Sequence, residues 1–169
     1  MPRTSFPIRY LPSALTNADR KTQKKMLLYS KRLYKRNKYY TRKPLKSFHS
    51  KTSKHIANAR KIYNIQNITP NRELARKTGC TLSALRKIVN KGAGAYYSSG
   101  SRPNQTAESW GLARLASALT AGKSAAVDYD IIRDGCDHRK LAFRLANKSR
   151  RKYKYGHSKT KKVEVNVPL

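Results

Sequence analysis

Apolar residues recur at helical spacing through most of the chain, most clearly between Thr106 and Gly122. There Leu112, Leu115, Ala116 and Leu119 stand at i, i+3, i+4 and i+7, one stripe of a 3.6-residue period. Thr106 is placed to cap the first turn, and Glu108 sits at the positive end of the helix dipole. Gly122 is expected to close the helix in the left-handed conformation. Trp110, the only tryptophan, is expected in the core beside that stripe. The stretch before it, from Lys91, carries Gly92, Gly94, Gly100 and the pair Tyr96-Tyr97, and reads as a Gly/Ser loop docked on the helix.

Other stretches carry the same period. Thr16 to Asp19 has the form of a capping box and opens a helix to about Lys35. Met26, Leu27, Ser30, Leu33 and Tyr34 give that helix one narrow apolar edge, and its remaining faces are Lys and Arg. A second, short helix starts near Ser53, with Ile56, Ala59, Arg60 and Tyr63 at helical spacing. Residues 68–92 predict a helical hairpin. Thr69 caps it, Pro70 takes the tolerated first position, and Leu74 and Ala75 face inward. Gly79 then breaks the helix, and Thr81 caps a second one bearing Leu82, Leu85, Ile88 and Val89. Ala75, Gly79, Leu85 and Ile88 match the spacing of a helix-turn-helix, where a small residue lets two helices cross closely. Ser124 opens a further helix through Asp134, with Val127, Ile131 and Ile132 inward, and a last helix runs from about His138 to Asn147 with Leu141, Phe143 and Leu145.

The two ends follow another pattern. Pro2, Pro7 and Pro12 bar a helix from residues 1–15, which should be extended. Val163, Val165 and Val167 alternate as in a strand with no partner in the chain, so this segment is expected to add to a sheet edge of another subunit.

Charge sharpens this division. The chain holds 39 Lys and Arg against eight Asp and Glu, a net charge of +31. Residues 1–62 have 18 basic residues and one acid, residues 63–147 have 13 and six, and residues 148–169 have eight and one. Only the middle segment has the balance of a self-sufficient core. The expected fold is therefore all-α: a small helical domain containing a helix-turn-helix-like hairpin, with long basic extended arms at both ends. Its parts are a basic arm with one amphipathic helix (1–63), the compact domain (64–147) and a basic arm ending in the strand-like segment (148–169). Leu74, Ala75, Leu85, Ile88, Trp110, Leu112, Leu115 and Leu119 are the expected core. A chain this cationic repels itself unless it has an acidic partner.

The chemistry at hand suits binding. Tyr34, Tyr39, Tyr40, Phe48 and His49 interleave with cations, and Lys35, Arg36, Lys38, Tyr39, Tyr40, Arg42, Lys43 and Lys46 are the candidate contacts to a polyanion or acidic protein. In the hairpin, Ser83, Arg86, Lys87 and Asn90 would face outward as a reading helix for a major groove. Catalytic patterns fail. AGKS at Ala121–Ser124 lacks the first Gly of a phosphate-binding loop, where Ser117 stands, and it follows a helix instead of a strand. Asp128, Asp130 and Asp134 have no His partner and are expected to neutralise neighbouring cations. His49, His55, His138 and His157 lack metal-ligand spacing, and no Ser has a base and an orienting acid. No cofactor, metal, small-molecule substrate or enzymatic activity is expected. Cys80 and Cys136 show no motif and are expected as free, buried thiols in a reducing compartment. MPRTSFPIRY has no apolar core of a signal peptide, and no run is long enough to span a bilayer.

Three stretches, ELARKTGCTLSALRKIVNKG, GAYYSSGSRPNQTAESWGLARLASALTAGKSAAVDYDI and the DGC that follows, resemble a domain of unknown function carried by large DNA viruses of algae and protists. Residues 9–63 are similar to the basic arm that often precedes it. The resemblance implies a viral protein made in the host cytoplasm, not secreted, and associated with the virion; it supplies no catalytic residues. Two functions fit. One is a non-enzymatic virion structural protein, a minor capsid or cement component whose arms thread between other virion proteins, including the major capsid protein. The other is a nucleic-acid-binding protein that holds or condenses viral DNA through the helix-turn-helix and the basic arms.

Overall fold

The computed structural model describes residues 2–154 and 160–168, so His157 falls outside it. In chain order the elements are β1 (Arg3–Pro7), a 3-10 turn (Ile8–Tyr10), α1 (Asn17–Tyr34), α2 (Lys54–Tyr63), α3 (Arg72–Thr78) and α4 (Leu82–Ser98). After these come α5 (Ala107–Leu119), α6 (Lys123–Val127), α7 (Tyr129–Gly135), α8 (Leu141–Tyr153) and β2 (Lys162–Asn166). They form two compact units, one of residues 1–51, 93–107 and 159–169, the other of residues 52–92 and 108–158. The long helix α4 begins in the second unit and ends in the first.

In the first unit, α1 opens as its sequence predicts: Thr16 Oγ1 accepts from the Asp19 amide at 3.2 Å. Gln23, Met26, Leu27 and Ser30 form its buried edge. A smaller cluster joins Met26 to Leu15 and Leu45, with Tyr40 and Phe48 against it. The strand-like segment expected to leave for another subunit finds its partner within the chain. β1 and β2 pair antiparallel, in register from Arg3 opposite Asn166 to Pro7 opposite Lys162. Alternation gives each strand one apolar side, and pairing puts both on one face, where Phe6 and Val165 are buried and Lys31 of α1 lies over the Phe6 ring. The molecule is thus mostly helical with a small two-stranded sheet, and the two long extended arms of the expected fold are absent from the described residues.

The second unit has one core, in which Ala59, Tyr63, Leu74, Leu85, Ile88, Leu115, Leu119, Ile132, Ala142 and Ala146 are buried together, with Ala75 packed against them. Trp110 and Leu112, expected in the core, are only half-buried. The reason lies in the glycines. A Cβ on Gly92 would stand 2.6 Å from Gly111 Cα, and one on Gly111 would stand 2.6 Å from the Val89 carbonyl oxygen. Backbone meets backbone where α4 crosses α5, so the contact face takes Gly111 and turns Trp110 to the rim. For the same reason α4 does not stop at Asn90 to become a loop; it runs through Gly92 and Gly94 to Ser98.

Other local expectations shift by a residue or a turn. Asn71, not Thr69, caps α3, accepting from the Leu74 amide at 2.8 Å, while Thr69 Oγ1 accepts from the Asn71 side chain. Gly79 holds the left-handed corner at φ 75° and Thr81 caps α4, accepting from the Ala84 amide at 3.1 Å. After α5 the left-handed residue is Ala121, at φ 58°. Gly122 instead has an extended backbone, with Ser117 Oγ where its side chain would be. The helix expected from Ser124 to Asp134 is two helices, broken at Asp128, and Val127 is exposed. In α8 the buried face is Ala142, Ala146 and Ser149, so Leu141 lies outward, and the helix continues into the basic stretch as far as Tyr153.

The two cysteines are not free thiols: Cys80 and Cys136 form a disulfide. The backbone brings them face to face. Thr81 donates its amide to the Gly135 carbonyl and Asp137 donates to the Gly79 carbonyl, both at 2.8 Å, which makes a one-pair antiparallel bridge with the cysteines opposite each other.

Candidate nucleic-acid interface

The candidate contacts at residues 35–46 belong to the first unit. Where α1 ends, the Lys38 amide donates to the Leu33 carbonyl and the Asn37 amide to the Tyr34 carbonyl, both at 3.0 Å, with Asn37 left-handed at φ 55°. This is a Schellman closure with Asn at the position usually held by Gly. It reverses the chain and returns Tyr39 to Tyr34, their ring centres 6.2 Å apart. Tyr39 also meets Tyr97 at 5.1 Å, and Tyr97 meets the buried Tyr96 edge-on at 5.1 Å. Lys35, Arg36, Lys38, Lys43 and Lys46 are exposed around this ladder, Tyr40 is half-buried, and Tyr39 is 67% exposed.

Arg42 is the exception. Expected among the outward cations, it is turned inward and only 6% exposed. Its guanidinium donates to Ser30 Oγ and the Tyr96 carbonyl at 2.9 Å and to Ser101 Oγ at 2.8 Å. It also lies 3.8 Å over the Tyr96 ring. Burial pulls the Arg42 pKa below the ordinary arginine value, an effect the surrounding tyrosines oppose. With hydroxyls, a carbonyl and a ring in place of a carboxylate, Arg42 fixes the base of the tyrosine ladder.

Acids do little to cancel the other cations here. This unit has 19 Lys and Arg and two acids. The Asp19 carboxylate accepts from the Ser47 hydroxyl at 2.6 Å and amide at 2.9 Å, and these bonds hold it below its usual pKa. Glu164 pairs with Arg3 at 3.2 Å on the surface. Among the described residues no other ion pair lies in this unit.

The second unit carries the candidate reading helix. Ser83, Arg86, Lys87 and Asn90 are all exposed on α4, following the turn at Gly79. The Asp residues around α6 and α7 are paired within the unit. The buried Asp128 accepts from Lys91 Nζ, Arg114 Nε and Arg114 Nη2, each at 2.8 Å, while Asp130 and Asp134 both pair with Arg133 at the surface. A shallow cavity on α8, about 400 Å³, is lined by Arg144, Asn147, Arg150 and Arg151. Among the described residues no group of His, Cys, Asp and Glu could hold a metal, and no helix is long and apolar enough to cross a membrane.

The interleaving of rings and cations is visible in the sequence, but Tyr97 as a member of the ladder and Arg42 as its buried support are not. Both depend on α4 continuing through its glycines.

A mostly helical, disulfide-linked chain with a strongly basic surface is the class these features define. Residues 7–137 match the model of a family of unknown function, DUF5824, and the chain belongs to that family. Comparisons with curated proteins and with solved structures returned no match.

Proposed function

We propose that this protein is a non-enzymatic nucleic-acid-binding protein whose main contact surface is the cationic tyrosine ladder at the end of α1. The observation that carries this reading is the unpaired charge of the first unit: five exposed cations, Lys35, Arg36, Lys38, Lys43 and Lys46, near exposed rings, with both acids of the unit engaged elsewhere. Cations release counterions when they meet phosphates, and this gives affinity without sequence. A viral, virion-associated setting is what the family resemblance implies for such a protein. The competing role, a capsid component threading its arms between subunits and the major capsid protein, drew on free ends, and β1 and β2 are paired with each other.

The test is titration of the full chain with DNA across salt. A site making six to ten phosphate contacts loses roughly 10³–10⁵ in affinity between 50 and 200 mM salt. Because any chain of +31 binds polyanions to some degree, the comparison that counts is between two triple charge reversals. Lys35→Glu with Arg36→Glu and Lys38→Glu is expected to weaken binding and flatten the salt slope far more than Arg150→Glu with Arg151→Glu and Lys152→Glu. Equal losses from both sets would defeat the assignment. Loss of base preference on Arg86→Ala or Asn90→Ala would instead favour groove reading by α4.

A further inference from the structure

Resting on that reading, we infer that the site takes single-stranded nucleic acid, with a base stacked on Tyr39 and the flanking phosphates on Lys35, Arg36 and Lys38. A duplex hides the faces of its bases and presents phosphates, so it meets cations but offers an exposed ring no base face to stack on. This surface has such a ring. Tyr39 is 67% exposed, yet it is not a loose side chain. The Schellman turn at Asn37 fixes its backbone, and Tyr34 and Tyr97 meet it at interplanar angles of 63° and 57°.

Behind Tyr97 the support is continuous. Tyr96 is fully buried, its hydroxyl accepts from the Arg42 amide at 2.9 Å, and the Arg42 guanidinium covers its ring. A ring held in place before binding gives up little freedom when a base settles on it, which is the condition for a stacking platform. The cations are set by the same turn. Lys35, Arg36 and Lys38 lie between Tyr34 and Tyr39 in sequence and are all exposed, so phosphates on either side of a stacked base have partners within one short segment. Stacking tolerates every base, so binding should show no strong sequence preference.

The experiment uses the full chain, a fluorescein-labelled oligo-dT of roughly 20 nucleotides, longer than the ~4–16 that a whole OB fold covers, and a blunt duplex of the same length. Tyr39→Ala is expected to weaken oligo-dT binding by roughly 5- to 150-fold, leaving duplex binding and the salt slope nearly unchanged. Tyr39→Phe should keep the parent affinity, since the ring remains. Lys38→Ala should lower the oligo-dT salt slope by about 0.7. Thermal melts of each variant separate loss of binding from loss of fold, and Tyr39, being exposed, is expected to leave them unmoved. Equal losses for oligo-dT and duplex on Tyr39→Ala, or none for either, would overturn the stacking site while leaving nucleic-acid binding intact. Displacement of oligo-dT by poly-glutamate as effectively, charge for charge, as by unlabelled oligo-dT would overturn it in favour of an acidic protein partner. Failure to bind either nucleic acid at moderate salt would remove the broader reading as well.

Discussion

Arg42 holds Tyr96 from two directions: its amide donates to the Tyr96 hydroxyl at 2.9 Å, and its guanidinium lies 3.8 Å over the Tyr96 ring. The side chain also supplies donors to two buried hydroxyls and one carbonyl. Arg42→Ala leaves these acceptors without their partner, at about 1–3 kcal/mol for each that stays unsatisfied, and removes a desolvated cation–π contact. Serine hydroxyls can turn to other acceptors, so the expected destabilisation is about 3–5 kcal/mol instead of the full sum. Arg42→Lys keeps the charge but not the fork of donors, and should cost about 2 kcal/mol. Urea unfolding of the full chain reads both; a midpoint for Arg42→Ala equal to the parent's would show that the guanidinium is not what secures the ring.

Two glycines two residues apart in α4, on different faces of the helix, should respond with opposite sign. A Cβ on Gly92 meets backbone of α5, which cannot yield unless the helices separate, so Gly92→Ala should destabilise by about 1–3 kcal/mol. A Cβ on Gly94 meets nothing within 4 Å, so Gly94→Ala should stabilise by about 0.5–1 kcal/mol through helix propensity alone. Thermal melts of the two variants should move in opposite directions. Two shifts of the same sign would contradict the close crossing at Gly111.

The disulfide joins cysteines 56 residues apart, and closing a loop of that length restricts the unfolded chain by about 4 kcal/mol. The double substitution Cys80→Ser with Cys136→Ser should lose stability of that order. A thiol reductant should lower the melting temperature of the parent and leave the double variant unchanged. A parent indifferent to reductant would mean that the bond contributes nothing to the folded state.

These residues also show what the sequence could and could not reveal. Starts of helices were legible where a cap and a stripe agree, at Thr16 and Thr81, because both signals are local. The passage from Lys91 to Ser98 was not. Each glycine there disfavours helix by about 1 kcal/mol, and only the close crossing with Gly111, which no local pattern announces, reverses the balance. Trp110 was misplaced for the same cause. The alternation of β2 was legible, but its pairing with β1 and the Cys80–Cys136 bond join distant segments, and spacing along the chain carries no trace of those partnerships. The tyrosine and lysine alternation of the candidate site was visible in the sequence. Its geometry, with Arg42 inside and Tyr39 outside, emerges only once α4 delivers Tyr96 and Tyr97.

Pairing of β1 with β2 also sets an order in time. Arg3 and its partner Glu164 are 161 residues apart, so at the ribosome's pace of about 5–20 residues per second β1 waits roughly 8–30 s for the strand that covers it. Helix α8, which helps complete the second unit, lies so near β2 in sequence that both leave the ribosome only on release. Until release the chain therefore carries an unpaired, basic and partly apolar N-terminal segment, the stage of its synthesis at which this protein is most open to capture by chaperones or by nearby polyanions.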